Sequence, residues 1–225
     1  MIPILSSHTF GIDDIIKRFF DVVISAIGLL LLSPAFLLLA LVIKLDSHGP
    51  VFYRGVRVGR NGRHFNIYKF RSMVADAERR GAASTSTTDL RVTRSGHFIR
   101  KFKFDEFSQL INVFLGDMSI VGPRPEVQKF VDKYAEDEKQ ILSVRPGITD
   151  WSSIKFHNEG EIIETSGISD ADEAYEKLIR PEKLRLQLKY IKERNLWVDI
   201  KIVVSTVLTL FSIRLGGGPI GVPES

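Results

Sequence analysis

VVISAIGLLLLSPAFLLLALVI, Val22 to Ile43, is a run of 22 residues without a charge, long enough to cross the roughly 30 Å hydrocarbon core of a bilayer as a helix. Ser33-Pro34 interrupts it near the middle. Proline removes a backbone donor and clashes with the preceding turn, so a sharp bend is expected there. Ser33 can cap the second half-helix or bond the carbonyl that Pro34 frees. The flanks refine the reading: Lys17 and Arg18 precede the run, and Lys44, Arg54, Arg57 and Arg60 follow it. A spanning helix normally carries its basic bias on one side, whereas a re-entrant hairpin leaves both ends on the cytoplasmic face. A re-entrant helix bent at Ser33 and Pro34 is therefore expected, with a proline-kinked spanning helix as its competitor. A cleaved signal peptide is not expected, because the apolar run is too long and no small-x-small cleavage site follows.

Outward from this anchor, Met1 to Phe10 reads as a loose start and Ile12 to Phe20 as an amphipathic helix lying along the membrane. Gly49-Pro50 ends the membrane segment with a turn. VFYRGVRVG and HFNIYKF, split by Asn61-Gly62, alternate as a β-hairpin with a type I′ turn, and Arg54, Arg57, Lys69 and Arg71 are spaced to share a face. A short helix is expected over Met73 to Arg80, then a mobile loop over Gly81 to Thr88, GAASTSTT. Helices follow over Phe98 to Lys101, Asp105 to Leu115 and Pro125 to Val144, then a strand over Ile148 to Phe156 and one or two helices over Asp170 to Glu193. LWVDIKIVVSTVLTLFSIRL, Leu196 to Leu215, carries Asp199, Lys201 and Arg214, charges that argue against a second span; an interfacial amphipathic helix is expected, with an ordinary core helix as its competitor. The expected fold class is a helix-rich α/β monotopic membrane protein. Its units are residues 1–48 (amphipathic and re-entrant membrane helix), 49–195 (cytoplasmic catalytic domain) and 196–225 (interfacial helix and tail).

The chain has 225 residues and no cysteine, which leaves room for a hydrophobic core and excludes every thiol-based mechanism and thiolate metal site. The net charge is +4, but between Val51 and Phe104 thirteen Lys or Arg face three Asp or Glu. That block suits an anionic partner: nucleic acid, anionic lipid head groups and a nucleotide diphosphate all qualify, beside a plain solvated basic face. The histidines form no metal-ligand spacing.

Chemistry concentrates in RKFKFDEFSQLINVFLGDMSIVGPRPE, Arg100 to Glu126. Phe107, Leu110, Ile111, Phe114 and Leu115 trace one face of a helix that Gly116 stops. Asp105 and Glu106 fall at its first turn, where the helix dipole favours negative charge, so both carboxylates are expected to be ionised at neutral pH. An ionised Asp there can be a nucleophile or a metal ligand, or simply the helix cap. Asp117 is expected to cap the turn before Met118, with assistance at the active site as the competing role.

The order of features is what identifies a family. A Pro-broken apolar segment, a basic hairpin ending in Lys69-Phe70-Arg71-Ser72-Met73, and then GDMSIVGPRPE, Gly116 to Glu126, resemble the bacterial sugar transferases, the small monotopic polyprenyl phosphate hexose-1-phosphate transferases. The resemblance runs from about Lys17 to Lys201. It implies transfer of a sugar 1-phosphate from a UDP-sugar to undecaprenyl phosphate with release of UMP, at the bacterial inner membrane with the catalytic domain on the cytoplasmic face. It implies Asp105 as nucleophile and Glu106 as holder of Mg²⁺. Arg100 and Arg124, with Lys69, Arg71 and Arg145, are the implied substrate-binding cations; for the last three, head-group contact or a structural ion pair is the competing role. Anionic membrane lipids are implied partners and nucleic acid is not; a homo-oligomer stays open. Against the family pattern, Phe104 stands for the usual Leu before the acidic pair, Phe107-Ser108 for Leu-Pro after it, and Asp150-Trp151-Ser152-Ser153 for Gly-Trp-Ala-Gln. A catalytically silent membrane-surface scaffold or polyanion-binding module is the rival reading.

Overall fold

A computed structural model describes residues 12–77, 84, 89–214 and 217–223. Helix α1 runs without interruption from Ile12 to Asp46, through Pro34, so the expected amphipathic helix and the apolar run form one element. Pro34 cannot donate to the carbonyl of Leu30, and Ser33 Oγ does so instead at 2.7 Å, which is how the ladder tolerates the proline. Leu30, Leu31, Leu37 and Leu38 around this point are exposed. By length and composition α1 and the last helix could each cross a membrane.

Both ends of α1 are stitched to the same body. At the start, Asp14 accepts from Arg194, Lys17 bonds Asp199, Arg18 donates to the carbonyls of Val113 and Phe114, and Asp21 accepts from Ser119 Oγ and Ile120 N. At the far end Ile43 is buried against Phe70 and Ile99, and Asp46 accepts from Ser95 N and Oγ.

Strands β1 (Phe52–Val58) and β2 (His64–Phe70) form the antiparallel hairpin, Val58 opposite His64 and Phe52 opposite Phe70. Asn61 and Gly62 have the positive φ values, 56° and 74°, that a type I′ turn requires, but within a longer connection that begins at Gly59. The register puts Arg57 and Lys69 on one face and Arg54, stacked over Tyr68, on the other. The four basic residues therefore do not share a face, because strand side chains alternate and Arg54 and Arg57 are an odd number of residues apart.

Helix α2 (Arg94–Lys101) starts earlier than periodicity suggested, since Thr93 caps it by accepting from Gly96 N. The single helix expected over Asp105 to Leu115 is two, α3 (Phe104–Phe107) and α4 (Leu110–Leu115), broken at Ser108-Gln109. Gly116, at φ 98°, ends α4. Strand β3 (Ser119–Val121) leads into the proline-rich turn. The long helix expected over Pro125 to Val144 reduces to α5 (Gln128–Val131) and a 3₁₀ segment, Glu138–Ser143. Strand β4 (Gly147–Thr149) pairs in parallel with β3. The strand expected over Ile148 to Phe156 stops there because Asp150 accepts from Ser153 N and caps α6 (Trp151–Lys155). Gly122 and Gly147 meet backbone to backbone, where a side chain on either would collide.

Helices α7 (Glu159–Thr165), α8 (Ala171–Leu178), α9 (Arg180–Glu193) and α10 (Leu196–Arg214) complete the chain. The largest core cluster joins Val121, Trp151, Leu186, Tyr190 and Ile202, so α10 buries one face on the domain. Trp197, Val204, Leu208 and Phe211 on α10 are exposed. The loop expected over Gly81 to Thr88 lies, apart from Ser84, outside the described residues, as do Met1 to Phe10 and the end of the helix expected over Met73 to Arg80. Met73 itself forms an isolated bridge with Val92.

Candidate active site

Four elements converge on the acidic pair. After α2 the chain reverses at Lys103, a non-glycine residue in the left-handed region at φ 57°, a conformation that tertiary contacts must hold. Phe104 meanwhile packs among Phe98, Phe102 and Phe107. The reversal points α3 at β2, and polar side chains secure it there. Asn112 Oδ1 accepts from Tyr68 N and its Nδ2 donates to Asn66 O, both at 2.8 Å, so its amide satisfies the outer edge of β2 as another strand would. Ser108 Oγ lies 3.1 Å from the carbonyls of both Tyr68 and Asp105. Lys69, between Tyr68 and Phe70, is thereby held against the pair.

Lys69 Nζ lies 3.7 Å from Asp105 Oδ2 and 3.4 Å from Glu106 Oε1. Arg124 reaches in from the proline-rich turn and forks onto Glu106, with Nη1 donating to Oε2 at 3.1 Å and Nη2 to Oε1. The Arg124 backbone is itself fixed: its N–H donates to Asp150 Oδ2 at 3.3 Å, its carbonyl accepts from Gln187 Nε2 at 3.3 Å, and Gln187 also bonds Asp150.

The two carboxylates differ in kind. Asp105 Oδ1 is buried with no hydrogen-bond partner. Asp105 does not cap the helix: Lys103 holds the cap position, with no side-chain cap bond. Burial raises the Asp105 carboxyl above the ordinary carboxylate range; Lys69 opposes this and Glu106 adds to it. At Asp105 burial thus acts against the ionised form that the helix start was expected to favour. For Glu106, burial is outweighed by the Arg124 and Lys69 charges, which hold it well below its usual range. Burial lowers the Lys69 ammonium despite both carboxylates.

Arg100 donates Nε to Ser72 Oγ at 2.9 Å and is within electrostatic range of Asp105 without bonding it. Arg71 and Arg145 bond neither carboxylate. Arg71 donates to the carbonyls of His48 and Ser47 at 2.6 Å and so caps the C-terminal end of α1. Arg145 donates Nε to Gly116 O at 3.0 Å and lines a different cavity. Asp117 Oδ2 accepts from Asn112 Nδ2 at 3.4 Å. Among the described residues no group of three metal-ligating side chains occurs.

Sequence reading missed Asn112, Asp150 and Gln187. Asn112 lies off the apolar stripe of Phe107, Leu110, Ile111, Phe114 and Leu115, so periodicity did not mark it; the structure buries the polar side, Ser108, Gln109 and Asn112, and leaves Phe107, Phe114 and Leu115 exposed. Asp150 and Gln187 carried no signal, because their role depends on α6 and α9 meeting behind Arg124.

A family model for bacterial sugar transferases matches residues 12–213. Over 200 residues the chain is 40% identical to the UDP-N-acetylgalactosamine-undecaprenyl-phosphate N-acetylgalactosaminephosphotransferase of Aeromonas hydrophila, covering 88% of this chain and 44% of that one. Over 214 residues it is 36% identical to the UDP-glucose:undecaprenyl-phosphate glucose-1-phosphate transferase of Escherichia coli (strain K12), covering 94% and 43%. An uncharacterized sugar transferase of Bacillus subtilis (strain 168), EpsL, is 34% identical over 193 residues, 86% of each chain. The chain thus spans less than half the length of the first two.

Proposed function

The chain belongs to the bacterial sugar transferase family, and on that premise we propose that it is a phosphoglycosyl transferase moving a sugar 1-phosphate from a UDP-sugar to undecaprenyl phosphate. Asp105 is the nucleophile. The observation that carries this reading is the unpartnered Oδ1 of Asp105, buried beside Lys69 and an Arg124 fork on Glu106.

Asp105 Oδ1 attacks the phosphorus attached to the sugar, the bond to the nucleotide phosphate oxygen breaks, and UMP leaves with that electron pair. The phosphate of undecaprenyl phosphate then attacks the phospho-aspartate, releasing Asp105 and forming undecaprenyl diphosphate-sugar. Lys69, Arg100 and Arg124 offset the charge of the diphosphate, and Arg124 can grip phosphate with two parallel bonds as it grips Glu106. The carboxylate donors fit Mg²⁺, which takes oxygen ligands and commonly uses one or two carboxylates together with substrate phosphate; Glu106 would hold it. Bound there, the ion would neutralise charge on the leaving phosphate. Glu106 is engaged by Arg124, so binding of the donor diphosphate would exchange partners, with Arg124 turning to phosphate.

Residues 1–48 serve as the anchor, 49–195 as the catalytic domain and 196–225 as the interfacial helix. Polar bonds from both ends of α1 to one body support a re-entrant rather than a spanning anchor, because a spanning helix carries one end away across the bilayer. This anchor keeps Asp105 at the cytoplasmic membrane surface. The test is incubation with radiolabelled UDP-sugar, undecaprenyl phosphate and Mg²⁺: lipid-linked product, release of UMP and a phosphorylated Asp105 are expected. Release of UDP instead would mean transfer of the sugar alone. Absence of any lipid product would favour the scaffold.

A further inference from the structure

A charged cavity lies apart from the acidic pair, between the first turns of α1, the β1–β2 connection and the end of α9. Asp14, Lys17, Asp21, Arg60, Arg145 and Arg194 wall it. Its carboxylates are already matched. Asp14 accepts from Arg194 at 3.1 Å, and Asp21 Oδ1 accepts from Ser119 Oγ at 3.1 Å and Ile120 N at 2.9 Å. Lys17 bonds Asp199.

Arg145 is not matched. Its Nε donates to Gly116 O, and its two terminal amino groups have no partner among the described residues. A guanidinium with both ends open is a fork of the geometry that binds a phosphate through two parallel bonds. The cations also crowd one another: burial and then Arg18 lower Arg145, and burial and then Arg145 lower Arg60, with Asp21 and Asp14 at Arg145 and Asp14 at Arg60 acting the other way without reversing the direction. A bound anion relieves both effects.

The surroundings identify the source of that anion. On the α1 turns that carry Asp14 and Lys17, Ile12, Ile15 and Phe19 are exposed; so are Trp197, at the start of α10, and Leu115, beside the carbonyls that hold Arg18. The cavity therefore sits at the rim of the molecule's exposed apolar surface, where a tryptophan belongs at head-group level. We propose that this cavity binds the phosphate of an anionic membrane phospholipid, with Arg145 as the gripping fork and Arg60 and Arg18 supplying supporting charge. The site fixes how the start of α1 sits at the interface, and it is independent of the transfer reaction.

The test uses the full chain in detergent with added phosphatidylglycerol or phosphatidylcholine and counts retained lipid by native mass spectrometry. Preferential retention of phosphatidylglycerol is expected. Arg145→Gln should weaken it about tenfold, the scale of one charge-assisted bidentate contact, and Arg145→Lys by less, since charge stays and the fork is lost. Should Arg145→Gln fail to fold for want of its bond to Gly116, Arg60→Gln on the hairpin connection should weaken retention about threefold. Equal retention of the two lipids, or retention of phosphatidylglycerol unchanged in the folded variants, would overturn the proposal. Displacement of the lipid by equimolar inorganic phosphate would make this a free-phosphate site, and displacement by UDP would make it part of the donor site; either also overturns it.

Discussion

The molecule buries two carboxylate–lysine clusters on either side of the same Gly-Pro-Arg-Pro-Glu turn, and they titrate in opposite senses. Around Asp105 and Lys69, separated by 3.7 Å, burial wins: the carboxyl is raised and the ammonium lowered. Around Glu126 and Lys183, separated by 3.0 Å, pairing wins: Lys183 and the Tyr175 hydroxyl pull Glu126 below its usual range against burial, and Lys183 is held up by Glu126. Each cluster leaves one carboxylate oxygen unbonded, Asp105 Oδ1 and Glu126 Oε2. Both oxygens are buried, but the clusters around them differ in exposure: the Asp105 side chain is 13% exposed and that of Glu126 1%. Incomplete pairing in a partly exposed cluster suits the nucleophile proposed for Asp105, while the same ingredients closed tightly and sealed hold the turn in place.

If this distinction is right, Asp105→Asn should lower formation of lipid-linked product by about a thousandfold or more, the scale of losing a nucleophile, in a radiolabel transfer assay. Lys183→Met should leave activity lost only through unfolding. It strands Glu126 as an unpaired buried charge, at a cost of about 3–5 kcal/mol, readable as a large drop in thermal midpoint. Arg124→Lys keeps the charge but loses the fork, so transfer should fall roughly tenfold with little change in stability.

The pH dependence of stability separates the clusters further. Asp105 has a folded pKa above its unfolded value, so the native state binds more protons from the ordinary carboxylate range upward and stability falls as pH rises through that window. Asp105→Asn removes this effect. The variant should melt higher than the parent at neutral pH, with the advantage shrinking toward acid. Glu126 is shifted downward, so its stabilisation is present above the ordinary range and lost as pH falls through its folded pKa; Glu126→Gln should melt lower than the parent at neutral pH. The smallest effect is expected at Ser33: Ser33→Ala leaves the Leu30 carbonyl unbonded and should cost about 1 kcal/mol in thermal unfolding.

The anchor was legible because bilayer crossing or entry is a matter of composition over a long window, and Ser33-Pro34 announced the freed carbonyl that Ser33 bonds. The hairpin was legible through alternation and Asn61-Gly62. The helix from Asp105 to Leu115 was overcalled because its apolar period continues through Ser108-Gln109, where bonding to β2 overrides local preference. Pro125 to Val144 read as helix from its charge pattern, yet it follows a turn whose carbonyls are taken by other strands, Val58 N donating to Glu126 O and Gly147 N to Pro123 O.

Local chemistry and motif order, both properties of neighbouring residues, were enough to single out Asp105, Glu106 and Arg124 and to identify the family. The tertiary structure alone decided which cations face the acidic pair: Lys69 and Arg124 bond it, Arg71 caps α1, and Arg145 turns to a separate cavity. It also decided that Asp105 is raised while Glu106 is lowered. Burial and the placement of charge depend on which distant segments meet, and side-chain type does not encode that.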